Sequence, residues 1–114
     1  MVKPQESLRI EITLPQYYNN GKKVESSKFL VTKKELTDRF GGCTFLKPTL
    51  GDWVDDTTGI EYLDEPNSGF QVIVPKSKEA EMLAFFDEYK PLLKKRFRQK
   101  DIFIVVQDVA LMLD

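Results

Sequence analysis

The stretch Phe40-Gly41-Gly42-Cys43-Thr44 constrains this chain more than any other feature. Two glycines behind a helical phenylalanine let the backbone turn through positive φ without a Cβ clash, so a helix must stop here and a strand begin. Gly51-Asp52-Trp53 and Gly59-Ile60-Glu61-Tyr62 follow, a strand pair that carries the only tryptophan. Topology is therefore readable from these residues, whereas chemistry is not.

At 114 residues the chain suits one domain with one core, here expected over about 8–108 with an apolar C-terminal tail at 109–114. A composition of 41% hydrophobic and 31% charged residues is that of a globular protein rather than a disordered one. No apolar run approaches the roughly 20 residues of a membrane helix. The first residues, Met1 to Glu6, lack the apolar core of a secretory signal. A single cysteine cannot form an internal disulfide, so a reducing, cytoplasmic setting is expected.

Leu8 to Leu14 alternates apolar and polar residues, the pattern of a strand buried on one face and ended by Pro15. Tyr17 to Ser27, with Asn19-Asn20-Gly21, reads as a turn and an exposed loop. Thr32 with Glu35 three residues later forms a capping box, and Val31 and Leu36 a hydrophobic staple, so a short helix is expected to start at Thr32 and stop at Gly41. Cys43 to Leu46 begins a second strand, continued by Trp53-Val54 beyond Lys47-Pro48. Asp55 to Gly59 forms a hairpin loop, and the strand returns through Ile60 to Leu63. Asp64 to Gly69 reads as a bulge or loop before the strand Phe70–Val74.

Ser77 is a candidate cap for a second helix, in which Met82, Phe86, Tyr89, Leu93 and Phe97 recur at core-facing spacing. Pro91 should kink or split that helix near Lys90. Ile102 to Val106 is nearly continuous hydrophobic, as expected of a strand covered on both faces or sitting mid-sheet. The order strand, helix, strand, strand, helix, strand predicts an α+β fold of the ferredoxin-like, split βαβ kind. Its antiparallel sheet should carry two helices on one face.

Three short motifs resemble a loose group of small uncharacterised prokaryotic ferredoxin-like proteins. They are F-G-G-x-T at Phe40–Thr44, G-x-W at Gly51–Trp53, and F-x-Q at Phe97–Gln99 ahead of an apolar strand. The resemblance spans about residues 8–108 and implies the same fold without an established activity, so it carries no catalytic residue. The first helix looks shorter here than in that group, and the segment at Asp64 to Gly69 longer.

The chain has no histidine, which excludes Ser-His-Asp and Cys-His nucleophile systems and imidazole metal sites. Cys43 stands behind a helix C-terminus, the wrong end for lowering a thiol pKa, and reads as a structural residue. Gly41 and Gly42 match no phosphate loop, and Asp52, Asp55 and Asp56 lack calcium-loop spacing. No metal or cofactor is implied.

Charge is segregated along the chain. Six acidic residues and no basic one lie between Pro48 and Pro75, whereas six basic residues and no acid lie between Lys90 and Lys100. This pattern is a solvated hairpin plus a helix end that favours cations, or else complementary patches for docking, with Lys94, Lys95 and Arg98 on the basic side. Nucleic-acid binding through the basic end is the weaker alternative, since the net charge is −1 and no RNA-binding strand motif occurs. Trp53, Tyr62, Asp52 and Glu61 form a candidate pocket with a desolvated carboxylate, or Trp53 and Tyr62 are a cross-strand pair that stabilises the hairpin.

If Ile102, Ile104 and Val72 face the helices, then Phe103, Val105 and Ile73 project from the other sheet face as an apolar patch, a candidate interface. The apolar tail is the rival cover for that face. The leading functional expectation is a non-catalytic binding or assembly module that works through the open sheet face and the acidic hairpin, as a homodimer or as part of a larger assembly. The alternative is a small enzyme or small-molecule sensor with its pocket near a dimer interface.

Overall fold

A computed structural model describes the backbone of residues 2–49, 52–54, 61–63 and 67–113, and the side chains of 2–46 and 67–113. In chain order the elements are β1 (Lys3–Pro15), α1 (Ser26–Phe40), β2 (Thr44–Thr49), β3 (Asp52–Val54), β4 (Glu61–Leu63), β5 (Asn67–Pro75), α2 (Glu79–Arg96) and β6 (Ile104–Leu113). Four strands form one antiparallel sheet in the order β2-β5-β1-β6, while β3 and β4 pair as a separate two-stranded ribbon. The chain has the α+β, ferredoxin-like fold that the element order predicts.

Alternation along the central strands decides which face carries the helices. Leu8, Ile10, Ile12 and Leu14 of β1 and Phe70, Val72 and Val74 of β5 point into a single core, where they meet Leu36 of α1 and Met82, Phe86, Tyr89 and Leu93 of α2. Aromatic contacts tie the helices together: Phe40 stacks on Phe86 at 5.8 Å, and Phe29 meets Phe97 edge-on at 5.2 Å. Gly69 belongs to the centre of the sheet for a steric reason. A Cβ there would come within 2.0 Å of the Ile12 carbonyl oxygen.

Several local expectations are corrected. Helix α1 is 15 residues long and starts six residues before Thr32, so it is not short. Thr32 is buried in its interior, where its hydroxyl donates to the Lys28 carbonyl and accepts from Arg96. Tyr18 and Val24 are core residues, so the segment ahead of the helix is anchored and the helix begins as soon as that anchor ends. The Gly41 stop is as expected, with φ of +82° and its amide bonded to Thr37.

Ser77 does not cap α2. It lies in a 3-10 turn (Lys76–Lys78), and Lys78 occupies the cap position without a side-chain bond. Helix α2 then passes through Pro91 unbroken. β2 likewise continues through Pro48, with a register shift between Leu46 and Thr49 that accommodates the missing amide. The segment 64–66 and the hairpin tip 55–60 lie outside the described residues.

The largest correction concerns the C-terminal strand. β6 is neither mid-sheet nor covered on both faces; among the described residues it is an edge strand paired with β1 alone. Residues 109–113 do not fold over the sheet either. They extend β6, with Lys3 to Ser7 of β1 opposite them, past the end of β5.

Candidate functional site

The sheet face away from the helices can be read row by row from the register. Ile73, Arg9 and Gln107 form one row; Gln71, Glu11 and Val105 the next; then come Gly69 and Thr13, whose amide donates to the Phe103 carbonyl. Phe103 and Val105 are 73% and 46% exposed, side by side in sequence alternation along β6. Ile73 sits two strands away on the same face, and the central strand places Arg9 and Glu11 between them. The expected apolar patch is therefore a rim along β6, continued by half-buried Val109 and Leu111 and by exposed Leu113, rather than a sheet-wide surface.

Arg9 organises the polar middle of this face. Its guanidinium donates to the Gln107 side chain across the β1–β6 pair, and its buried Nε has no partner among the described residues. On the helix side β6 is only partly covered: Ile104 packs on the core, but Val106 and Met112 are exposed. Asp108, at the middle of the strand, is bound by Lys76 at 2.7 Å, and that contact pushes the lysine pKa up. The result is a ten-residue edge strand with apolar side chains exposed on both faces. Its outer edge has no partner among the described residues.

The four candidate pocket residues fall on the β3–β4 ribbon. Its backbone register sets Trp53 directly opposite Tyr62, Asp52 opposite Leu63, and Glu61 opposite Val54. The side chains of these residues lie outside the described set, as do the remaining acids of the hairpin.

The basic end of α2 is partly neutralised from within the fold. Lys90 pairs with Asp101 at 2.9 Å and Arg96 with Glu35 at 2.5 Å. Arg98 lies over the Tyr18 ring at 4.6 Å, with Lys28 also 4.8 Å from that ring. Among the candidate interface cations Lys95 is exposed and Lys94 half-buried, so the continuous charge run of the sequence is not a continuous free surface. Cys43 packs against the core beside the Thr37 hydroxyl, and its thiol donates to the Lys33 carbonyl. Among the described residues no cluster of carboxylates and thiols is arranged to hold a metal ion, and no helix is long and apolar enough to cross a membrane.

No protein-family profile and no curated protein matches the chain. Among solved structures it is similar to a phage SAM lyase. That enzyme was solved in complex with S-methyl-5'-thioadenosine, and the match has a TM-score of 0.63 at 10% identity, covering 94% of this chain and 88% of that one. At such low identity the likeness is one of fold. The exposed strand is broader than the sequence pattern implies: Val106 falls in the expected covered strand, and Leu111, Met112 and Leu113 in the expected apolar tail. Their near-continuous apolar pattern was a signal for cover, but it carried no sign of whether the cover is intramolecular.

Proposed function

We propose that this protein is a non-catalytic binding and assembly module that self-associates by placing β6 against β6 of a second copy. The observation that supports the reading is an apolar edge strand exposed on both faces. Such an edge is a template for pairing with another chain, and proteins ordinarily blunt it with charges, prolines or bulges. β6 has none of these apart from Asp108, which is engaged by Lys76.

A second copy is favoured as occupant by the pattern of the strand itself. Ile104-Val105-Val106 precedes the polar pair Gln107-Asp108, and Val109 to Leu113 follows it. Antiparallel self-pairing about that polar centre lays apolar residues on apolar residues in both halves, the self-complementarity a two-fold interface demands. Ten residues of strand span about 33 Å, enough to nucleate an interface that the exposed Phe103 and Val105 would widen. The acidic segment between Pro48 and Pro75 then supplies charge for docking a further protein partner. A reducing, cytoplasmic setting belongs to this reading, because Cys43 is the sole cysteine.

Light scattering at low and high salt tests it. The expected result is a dimer that survives high salt and becomes a monomer in the double variant F103K/V105K, whose thermal unfolding measured as a monomer stays cooperative. A monomer at every concentration, or a dimer dissolved by salt alone, would overturn the β6 interface.

A further inference from the structure

At the sheet edge opposite β6 the helix layer leaves a gap. α1 packs over β5, and Phe45 of β2 remains 45% exposed although its ring meets buried Phe70 edge-on at 5.5 Å. The gap is a cleft of about 430 Å³, within the size range of small-molecule sites. Phe70 and Phe29 form its floor, and Phe45 and the 65% exposed Leu30 its walls. Ser26, Leu30 and Lys33 share one face of α1 at helical spacing and all line the cleft. Lys23 lines it from the preceding loop, where its backbone is held by a bridge to Tyr17.

The charged side chains that line the cleft among the described residues have one sign. Among the described residues no carboxylate lines it, and the acids of the surrounding helix are committed elsewhere: Glu25 to the Tyr18 hydroxyl and Lys28, Glu35 to Arg96, and Asp38 to Lys34. Lys23 and Lys33 form no ion pair among the described residues. The first turn of α1 has no side-chain cap, so its dipole adds to the same positive field. Aromatic walls with two ammonium groups that pair with no described acid suit a ligand that is flat and apolar at one end and anionic at the other. We propose that this cleft binds a small amphipathic anion, its planar body between Leu30, Phe45 and Phe70 and its carboxylate, sulfonate or phosphate at Lys23 and Lys33. The site is independent of self-association, because β2 and β6 are opposite edges of the sheet.

The test titrates the full chain with 1-anilinonaphthalene-8-sulfonate, followed by fluorescence, with the uncharged N-phenyl-1-naphthylamine in parallel. Saturable binding of the sulfonate to one site is expected. The double variant K23E/K33E should weaken it by about tenfold or more while leaving the neutral probe and the thermal unfolding unchanged. F45A should weaken both probes, and F103K/V105K neither. Sulfonate binding that is absent, indifferent to K23E/K33E, or lost in F103K/V105K would overturn the proposal; the last outcome would place the probe on the sheet rim.

Discussion

Arg96, in the last turn of α2, reaches Glu35 of α1 with its Nη2 2.5 Å from Oε1, and its Nη1 donates to the Thr32 hydroxyl at 2.8 Å. One guanidinium thus joins the two helices on the sheet from a largely buried position. Removing it strands the Glu35 carboxylate and leaves the buried Thr32 hydroxyl only its bond to the Lys28 carbonyl, and breaking such a pair costs more than the pair contributes by being present. R96A is expected to lower unfolding stability by about 2–4 kcal/mol, and E35Q, which keeps an acceptor, by about 1 kcal/mol. Urea denaturation compares them; an R96A protein as stable as the parent would show that the helices are held by their aromatic contacts alone.

Three glycines separate steric from conformational need. At Gly69 an added Cβ meets backbone at 2.0 Å, so neither strand can yield without breaking the β1–β5 ladder. G69A should cost about 3 kcal/mol or more. Gly41 has open space but a φ of +82°, so G41A should cost about 1–2 kcal/mol. Gly42 has open space and no such φ, and G42A should fall within about 0.5 kcal/mol of the parent. Equal losses at Gly41 and Gly42 would contradict the left-handed helix stop.

Stability should fall at both ends of the pH scale, through different groups. The Lys90 hydrogen bond, then the Ile102 amide, hold Asp101 below its ordinary value of 3.8, and the Tyr18 hydroxyl chiefly does the same for Glu25 below 4.5. Depressed carboxyls stabilise the fold above their unfolded pKa, and that stabilisation is lost as pH falls through the folded one. Burial, then the Glu35 charge, pushes Tyr89 above 10.0, and the Asp108 hydrogen bond raises Lys76 above 10.5. Raised groups act in reverse: their contribution is complete below the unfolded pKa and disappears as pH rises. Urea midpoints should be level between about pH 5 and pH 9 and decline on either side. D101N should shallow the acid limb. Y89F, which deletes a buried hydroxyl with no hydrogen-bond partner among the described residues, should be near neutral at pH 7 and shallow the alkaline limb. An alkaline limb unchanged in Y89F would assign that decline to Lys76.

The fold was legible where burial follows period. Leu8 to Leu14 alternate into the core, and Met82, Phe86, Tyr89, Leu93 and Phe97 are all buried at the spacing that marked them. Local signals misled where tertiary contacts override them. Thr32 and Glu35 have the residue types and spacing of a capping box, yet both serve Arg96 from the helix interior, 61 residues or more away in sequence. The basic run from Lys90 to Lys100 looks uniform, but Asp101 and Glu35, one beyond the run and one on the other helix, neutralise two of its members. Nothing in Ile102 to Val106 distinguishes a strand covered by its own chain from one awaiting another. The cleft was illegible for a related reason: Lys23, Lys33 and Phe45 come from a loop, a helix and a strand that only the folded chain brings together.

Pro91 yields the prediction that runs against intuition. It stands inside α2, removes the amide that would bond to the Asp87 carbonyl, and its side chain is exposed. The helix survives because Phe86 and Tyr89 before it and Leu93 and Phe97 after it are fixed in one core. Packing therefore offsets a local cost of up to about 3 kcal/mol relative to alanine. With the surroundings already helical, P91A should restore the missing bond and raise stability by about 1–3 kcal/mol, read as a higher urea midpoint at an unchanged slope. The gain depends on the two halves being collinear enough to accept that bond. A loss of stability would instead mean that the proline bend sets the angle at which Leu93 and Phe97 enter the core and Lys90 reaches Asp101.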